Sequence, residues 1–217
     1  MTQPEQQTSS QSGAIRKILI ANRGAIARRI VRACNELGLE SVVVHTSVDA
    51  HAPYIQEASE AYALSGLRPA DSYLDQDQLL SIARTSGADA VHPGYGFLSE
   101  NAGFAQRVLD AGLTFIGPDP SWLDRMGDKV NARRIMAEQG MPVFDGSDFI
   151  TDMATAREVA QTIGFPLVVK PSGGGGGMGM QVVEQMDALE SALTQAQTVA
   201  AAAFGSSDVY LERWIAQ

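Results

Sequence analysis

The stretch PLVVKPSGGGGGMGMQVVE, residues 166–184, places five consecutive glycines between two short apolar segments. Each apolar segment has the length and composition of a buried strand, so the glycines connect one strand to the next. Glycines add no side-chain packing, and ordering them costs backbone entropy. Their N–H groups can instead converge on an anion, because no Cβ blocks the approach. Lys170, at the end of the first strand, adds a positive charge. We therefore expect a flap over phosphates; a plain surface loop is the alternative.

Two other phosphate-binding loops do not fit this segment. A P-loop requires Gly-Lys-Ser/Thr at the opening of a helix, and a dinucleotide loop requires Gly-x-Gly-x-x-Gly before a helix. Here the glycines are followed by MQVVE, residues 180–184, which has the pattern of a strand. A glycine-rich hairpin that closes over phosphates, as in protein kinases, is the better physical parallel.

The residues around the glycine run predict a unit of mixed helices and strands. One or two helices are expected between Pro120 and Gly140. From about Phe144 the expected order is strand, helix, strand, glycine loop, strand, alanine-rich helix and strand. The last strand leads to Gln217 without a closing helix. We therefore expect the chain to be a fragment; a small domain with an irregular end is the alternative.

The first half of the sequence alternates buried strands with amphipathic helices, which predicts a parallel sheet flanked by helices. Two loops, ANRG at 21–24 and HPGYGFLSEN at 92–101, each follow a strand. They are therefore expected at the carboxyl edge of the sheet, where open α/β folds bind ligands. ANRG lacks the full glycine fingerprint of a dinucleotide site. His92 has a structural or a catalytic interpretation.

Composition and charge limit the classes of function. The chain has 217 residues, 45% of them hydrophobic, and a net charge of −9. The negative charge argues against nucleic acid and anionic membranes as partners. The one cysteine, Cys34, cannot form an internal disulfide and is expected to be a packed thiol, which fits the cytoplasm. Residues 1–13 have the composition of a disordered tail. No cluster has metal-ligand spacing.

Five motifs together resemble the biotin carboxylase component of biotin-dependent carboxylases, the family that includes acetyl-CoA, propionyl-CoA and pyruvate carboxylases. The motifs occur in the family's order and spacing, and the resemblance covers the chain from about residue 17 to its end. The motifs are KILIANRGAIARRIVRACNELG, HPGYGFLSEN, FIGP, MGDK and VVKPSGGGGGMGM.

The resemblance implies an α/β fold in two parts. Residues 14–126 would form the Rossmann-like, parallel-sheet domain that precedes the ATP-grasp region. Residues 127–217 would form the start of the ATP-grasp domain, an α+β lid subdomain that carries the glycine flap and is truncated. In this family ATP and bicarbonate form carboxyphosphate, whose carboxyl group passes to biotin on a carrier protein.

The same resemblance implies roles for individual residues. Two lysines would contact ATP, the flap glycines would cover its phosphates, and a hinge segment would bind the adenine. A loop of the first domain would lie near biotin. In that order, these residues are Lys129 and Lys170; Gly174, Gly175, Gly176 and Gly177; Glu212, Arg213, Trp214 and Ile215; and Tyr95 and Gly96.

The family's remaining catalytic parts lie beyond Gln217. These include the glutamates that bind Mg²⁺, the residues that bind bicarbonate, and the catalytic base, so neither catalytic nor metal-binding residues are expected within this span. The chain alone is therefore expected to be inactive. Implied partners are a biotin carboxyl carrier domain, a carboxyltransferase such as that of the acyl-CoA carboxylases of fatty acid metabolism, and a second copy of the full component. Arg29 and Arg32 would lie on the homodimer face; a solvated helix face is the alternative.

Two positions depart from the family pattern. Ala25 stands where the family commonly has a glutamate, and Met178 stands where it has arginine or lysine between the last flap glycines. Loss of that cation removes a charge-assisted hydrogen bond worth about 1.5–3 kcal/mol. Two alternatives therefore stay open: another ATP-grasp ligase, such as a carbamoyl-phosphate synthetase-like protein, and a non-catalytic ATP-binding or dimerisation module.

Overall fold

The computed structural model describes residues 14–173 and 176–215. The expected tail at 1–13, two flap glycines, Gly174 and Gly175, and the end of the chain at Gln217 lie outside the described residues. The chain forms two compact units, of which the first ends at Asp124 and the second begins at Arg125.

The first unit is built on a five-stranded sheet in which every pair of neighbouring strands is parallel. The strand order is β3-β2-β1-β4-β5, so the direction of winding reverses beside β1. The last strand has only two residues. The strands are β1 Lys17–Ile20, β2 Glu40–His45, β3 Glu60–Ala63, β4 Ala90–His92 and β5 Thr114–Phe115.

Helices cover both faces of this sheet. They do so because successive residues of its strands, which point to opposite faces, are apolar. Leu19 belongs to a core with Leu79 and Phe104 on one face. Ile20, the next residue of β1, belongs to a second core with Val31 and Tyr54. The helices that supply these partners are α1 Gly24–Glu36, α2 Pro53–Glu57, α3 Gln76–Ser86 and α4 Ala102–Asp110.

The second unit has a four-stranded sheet with the order β6-β9-β7-β8, and all of its strand pairs are antiparallel. Its strands are β6 Gly146–Phe149, β7 Leu167–Pro171, β8 Gln181–Val183 and β9 Val209–Arg213. α5 Pro120–Gly127 leads into the unit, which continues with α6 Lys129–Glu138, α7 Met153–Ile163 and α8 Leu189–Phe204.

The core of the second unit lies between the sheet and two helices. Leu167 and Leu211 are fully buried there together with Ala160 of α7 and Leu189 of α8. Burial of each leucine side chain stabilises the unit by about 1.5–3 kcal/mol. This packing fixes which face of β7 and β9 is apolar, and therefore which face is left for polar side chains.

Candidate functional site

The glycine run connects two antiparallel strands, as the sequence predicts. Leu167 of β7 pairs with Val183 of β8, so residues 172–180 form the connection between them. Gly176 and Gly177 have φ angles of 69° and 78°, a left-handed backbone conformation that residues other than glycine adopt only at an energetic cost. The backbone here therefore requires glycine, which explains part of the run.

A cavity of about 140 Å³ lies beside this loop. That volume suits a phosphate group rather than a whole nucleotide, since drug-sized ligands occupy pockets of roughly 300–1,000 Å³. Its lining combines ammonium groups with glycine backbone, the chemistry expected for an anion. The residues that line it include Lys129, Lys170, Gly173, Gly176, Gly177 and Tyr210.

Strand alternation places three polar side chains of this site on one face of the sheet. Lys170 of β7 lies directly opposite Tyr210 of β9, and Glu212 follows two residues later on the same face. Leu211, between them, points into the core. The Lys170 ammonium donates a hydrogen bond to Glu212 Oε2. Burial, together with the negative charge of Glu212, raises the pKa of Tyr210 to about 12, so its phenol stays protonated.

Lys129 reaches the same loop from the first turn of α6. Asp128 caps this helix by accepting a hydrogen bond from the Asn131 N–H at 2.7 Å. Lys129 Nζ donates to the carbonyl of Ser172 at 3.1 Å, at the start of the glycine connection. Both lysines that the resemblance assigns to ATP therefore line one cavity.

Arg133 follows one turn later on α6 and packs behind the site. Its guanidinium donates to the carbonyl of Ser147 and lies 5.7 Å from the centre of the Tyr210 ring. Its Nη1 is 3.9 Å from Glu212 Oε1. No motif in the sequence marks Arg133, although its spacing of four from Lys129 places both on one side of the helix.

The hinge segment, residues 212–215, is divided between the two faces of the sheet. Glu212 joins the lysine site, whereas the Arg213 side chain donates to the carbonyl of Ile163 on the opposite face. Trp214 and Ile215 follow the end of β9, and both are exposed. The structure therefore brings the Glu212 side chain, and not the Arg213 side chain, to Lys170.

A larger groove of about 750 Å³ lies elsewhere in the second unit, between α6, β6 and α7. Its lining includes Val143, Phe144, Asp145 and Glu158. We assign the candidate site to the smaller cavity, because Lys129 and Lys170 line it together with glycine backbone, whereas the described residues that line the larger groove include no lysine.

The two loops at the edge of the first sheet are joined by Asn22. This side chain is fully buried, and its amide nitrogen donates to the carbonyls of Pro93 at 2.7 Å and Tyr95 at 3.0 Å. Its oxygen accepts from the Arg23 N–H at 2.8 Å. Asn22 thereby fixes the segment that carries Tyr95, which is 72% exposed, and Gly96.

An ion pair supports the same edge. Arg23 contacts both oxygens of Asp49, which holds the pKa of that carboxyl below its ordinary value. Tyr73 donates to Asp49 and stacks on Phe97, with ring centres 5.6 Å apart. Phe97 has a positive φ of 45°, a conformation that is uncommon outside glycine.

His92, Cys34, Arg29 and Arg32 of the first unit have contacts and exposures typical of structural residues. His92 Nδ1 accepts a hydrogen bond from the Gly94 N–H at 3.0 Å, and burial lowers the pKa of the imidazole. Cys34 is buried, which raises the pKa of its thiol. Arg29 and Arg32 are exposed on α1, and Arg32 lies 3.5 Å from Glu57.

The described residues contain neither a metal-binding cluster nor a membrane-spanning helix. Within residues 14–173 and 176–215, no three His, Cys, Asp or Glu side chains form a group that could hold a metal ion. No helix in this part of the chain is long and apolar enough to span a bilayer.

Two family models match the sequence. The model for "Biotin carboxylase, N-terminal domain" matches residues 14–123, which is half of the chain. The chain belongs to the biotin carboxylase family. The model for "Carbamoyl-phosphate synthase L chain, ATP binding domain" matches residues 128–217. The first match favours a biotin carboxylase over other ATP-grasp ligases, and it confirms the family predicted from the motifs.

Curated relatives of this family cover nearly the whole chain. It is 45% identical to the biotin carboxylase of Haemophilus influenzae over 203 residues, which are 93% of this chain and 45% of that protein. It is 46% identical to mouse mitochondrial pyruvate carboxylase over 203 residues, 93% of this chain and 17% of that protein. The chain therefore spans less than half the length of these relatives.

Solved structures of the family confirm the fold class. One match is the beta-gamma-ATP complex of biotin carboxylase from Campylobacter jejuni, with a TM-score of 0.90 and 38% identity. It covers 94% of this chain and 46% of that chain. The biotin carboxylase domain of Hydrogenobacter thermophilus 2-oxoglutarate carboxylase matches with a TM-score of 0.88 and 40% identity over 93% and 44%. That domain is a dimer in complex with MgADP, ADP and bicarbonate.

Proposed function

We propose that this chain is the ATP-binding part of a biotin carboxylase, which uses ATP and bicarbonate to carboxylate biotin. One observation carries the proposal: in a chain of this family, Lys129 and Lys170 line one cavity together with Gly176 and Gly177 of the flap. Ammonium groups and glycine N–H groups suit phosphates, so the residues present fit a phosphate group of ATP. Magnesium, when bound, would neutralise further phosphate charge.

The individual residues have separate tasks in this proposal. Lys129 and Lys170 hold the phosphates, while the flap, with Gly174 to Gly177, closes over them and excludes water. Glu212 and the backbone of residues 213–215 bind the adenine. In the first unit, Asn22 orients the loop that carries Tyr95 and Gly96 toward biotin.

The proposed partners follow from the family. They are a biotin carboxyl carrier domain, a carboxyltransferase whose acceptor is an acyl-CoA or a keto acid, and a second copy of the full component. The dimeric Hydrogenobacter domain supports the last of these. A cytoplasmic location is supported by a sequence with a single cysteine.

Calorimetric titration with Mg-ATP tests the nucleotide site. ADP release in the presence of biotin and bicarbonate tests whether this chain alone contains the catalytic groups. We expect the 217-residue chain to bind Mg-ATP at one site and to release no ADP in response to biotin. Absence of binding by the folded chain would contradict the proposed function. Turnover by the chain alone would contradict the assignment of the catalytic groups to residues that follow this span.

A further inference from the structure

The Lys170 ammonium has two competing partners, the Glu212 carboxylate and the nucleotide phosphates. In the structure it is paired with Glu212, and the side chains of Lys170 and Glu212 are only 27% and 17% exposed. In the proposed function the same ammonium contacts nucleotide phosphates. A lysine that moves to a phosphate leaves a largely buried carboxylate without its cation, which is strongly unfavourable.

Arg133 is placed to take over this carboxylate. The Lys170 ammonium is hydrogen-bonded to Glu212 Oε2. Arg133 Nη1 lies 3.9 Å from the other carboxylate oxygen, Glu212 Oε1. This distance exceeds the roughly 2.7–2.9 Å of a charge-assisted hydrogen bond by about 1 Å. Nη1 is buried and has no hydrogen-bond partner among the described residues. A small rotation of the Glu212 carboxylate would satisfy both groups.

The position of the Arg133 guanidinium is fixed by its surroundings. It lies over the Tyr210 ring, with its Cζ 5.7 Å from the ring centre, and donates to the carbonyl of Ser147. Gly146 leaves the space that it occupies, since a Cβ at that position would lie 2.2 Å from Nη1. Gly146 also pairs with Glu212 across β6 and β9, so the guanidinium and the carboxylate are held next to each other.

We infer that Arg133 is a positioning residue for nucleotide binding, which receives Glu212 when phosphates draw Lys170 away. The inference rests on the proposed function, because it requires Lys170 to contact the phosphates. Arg133 itself contacts neither the phosphates nor the base. It acts by keeping Glu212 paired in both arrangements, and so it makes Lys170 available to the ligand.

A double-mutant cycle with Mg-ATP tests this inference in the 217-residue chain. Arg133→Gln removes the cation but can still bond to the Ser147 carbonyl, and it is expected to weaken Mg-ATP binding roughly tenfold, within the range for coupled residues. In a Glu212→Gln chain the same substitution is expected to change the affinity less than twofold, because no carboxylate then needs a cation.

Two further variants separate this role from a purely structural one. Arg133→Lys keeps the charge near Glu212 and the Tyr210 ring but loses the planar guanidinium, so it is expected to bind Mg-ATP within about threefold of the parent chain. Arg134→Gln, one residue along on the same helix, removes an exposed arginine paired with Glu138 and is expected to have no effect on binding. Thermal melting of each variant reports folding independently of the ligand.

The outcomes are distinct. Failure of the folded parent chain to bind Mg-ATP would overturn the proposed function and this inference together. A parent that binds, with an Arg133→Gln chain that binds equally well, would overturn the inference alone. Equal weakening by Arg133→Gln with and without Glu212 would also overturn it. If Arg133→Gln does not fold, the Arg133→Lys chain decides, since a tenfold loss there would contradict the role of the charge.

Discussion

Replacement of Asn22 by alanine is expected to destabilise the first unit and leave the second unchanged. The Asn22 side chain is fully buried and makes three hydrogen bonds of 2.7, 3.0 and 2.8 Å to backbone groups of Pro93, Tyr95 and Arg23. A typical net contribution of about 1 kcal/mol for each hydrogen bond gives a loss of about 3 kcal/mol. Backbone groups left buried without a partner act in the same direction.

Amide hydrogen exchange measured by mass spectrometry is the appropriate assay, because it reports each unit separately. A loss of about 3 kcal/mol corresponds to roughly 150-fold faster exchange of the slowest amides. We expect this acceleration in peptides from β1 and β4, and none in peptides from β7 and β9. Asn35→Ala is a matched control, since Asn35 makes one exposed hydrogen bond to the Glu57 carbonyl.

Acceleration of less than about fivefold in the first unit, equivalent to about 1 kcal/mol, would mean that Asn22 does not hold the two loops together. Equal acceleration in both units would refute the assignment of its effect to the first unit.

Three further predictions concern the phosphate site and the first sheet. Lys170→Ala should weaken Mg-ATP binding about 10- to 150-fold, whereas Arg32→Ala should change it less than twofold; equal effects in calorimetry would contradict the lysine assignment. Met178→Arg should tighten Mg-ATP binding about tenfold and more at low salt, and an unchanged dissociation constant would contradict a phosphate contact at that position. Arg23 holds the pKa of Asp49 below its ordinary value. The ion pair therefore stabilises the fold fully above about pH 3.9, and this stabilisation is lost as the pH falls from there through the lowered pKa. Denaturant unfolding between pH 6 and 3 should therefore show a weaker pH dependence for Asp49→Asn, and parallel profiles would contradict this.

The local elements were predictable from the sequence because their signals are local. Apolar runs predicted the strands of the first sheet, and a glycine at positive φ, Gly87 at 67°, ends α3 in the way common at helix C-termini. The hairpin on either side of the glycine run was predicted for the same reason. β5 has only two residues, because its pairing with β4 involves Thr114 and Phe115 alone.

Long-range contacts were not predictable in this way. Lys170 and Glu212 are 42 residues apart, and their contact depends on the antiparallel pairing of β7 with β9. Period-two patterns give the face of each strand but not its neighbour. The Arg213 side chain, assigned to the hinge with Glu212, lies on the opposite face for the same reason. Motif resemblance supplied the lysines, whereas Arg133 required the structure.

Biotin-dependent ADP release by a chimera tests the central claim most directly. In this chimera, residues 14–215 replace the matching segment of the Haemophilus influenzae biotin carboxylase, to which the chain is 45% identical. We predict that the chimera releases ADP only when biotin and bicarbonate are both present, and that Lys170→Ala abolishes most of this activity. A folded chimera that binds Mg-ATP but releases no ADP, or one that is indifferent to Lys170→Ala, would contradict the assignment of this chain as the ATP-binding part of a biotin carboxylase.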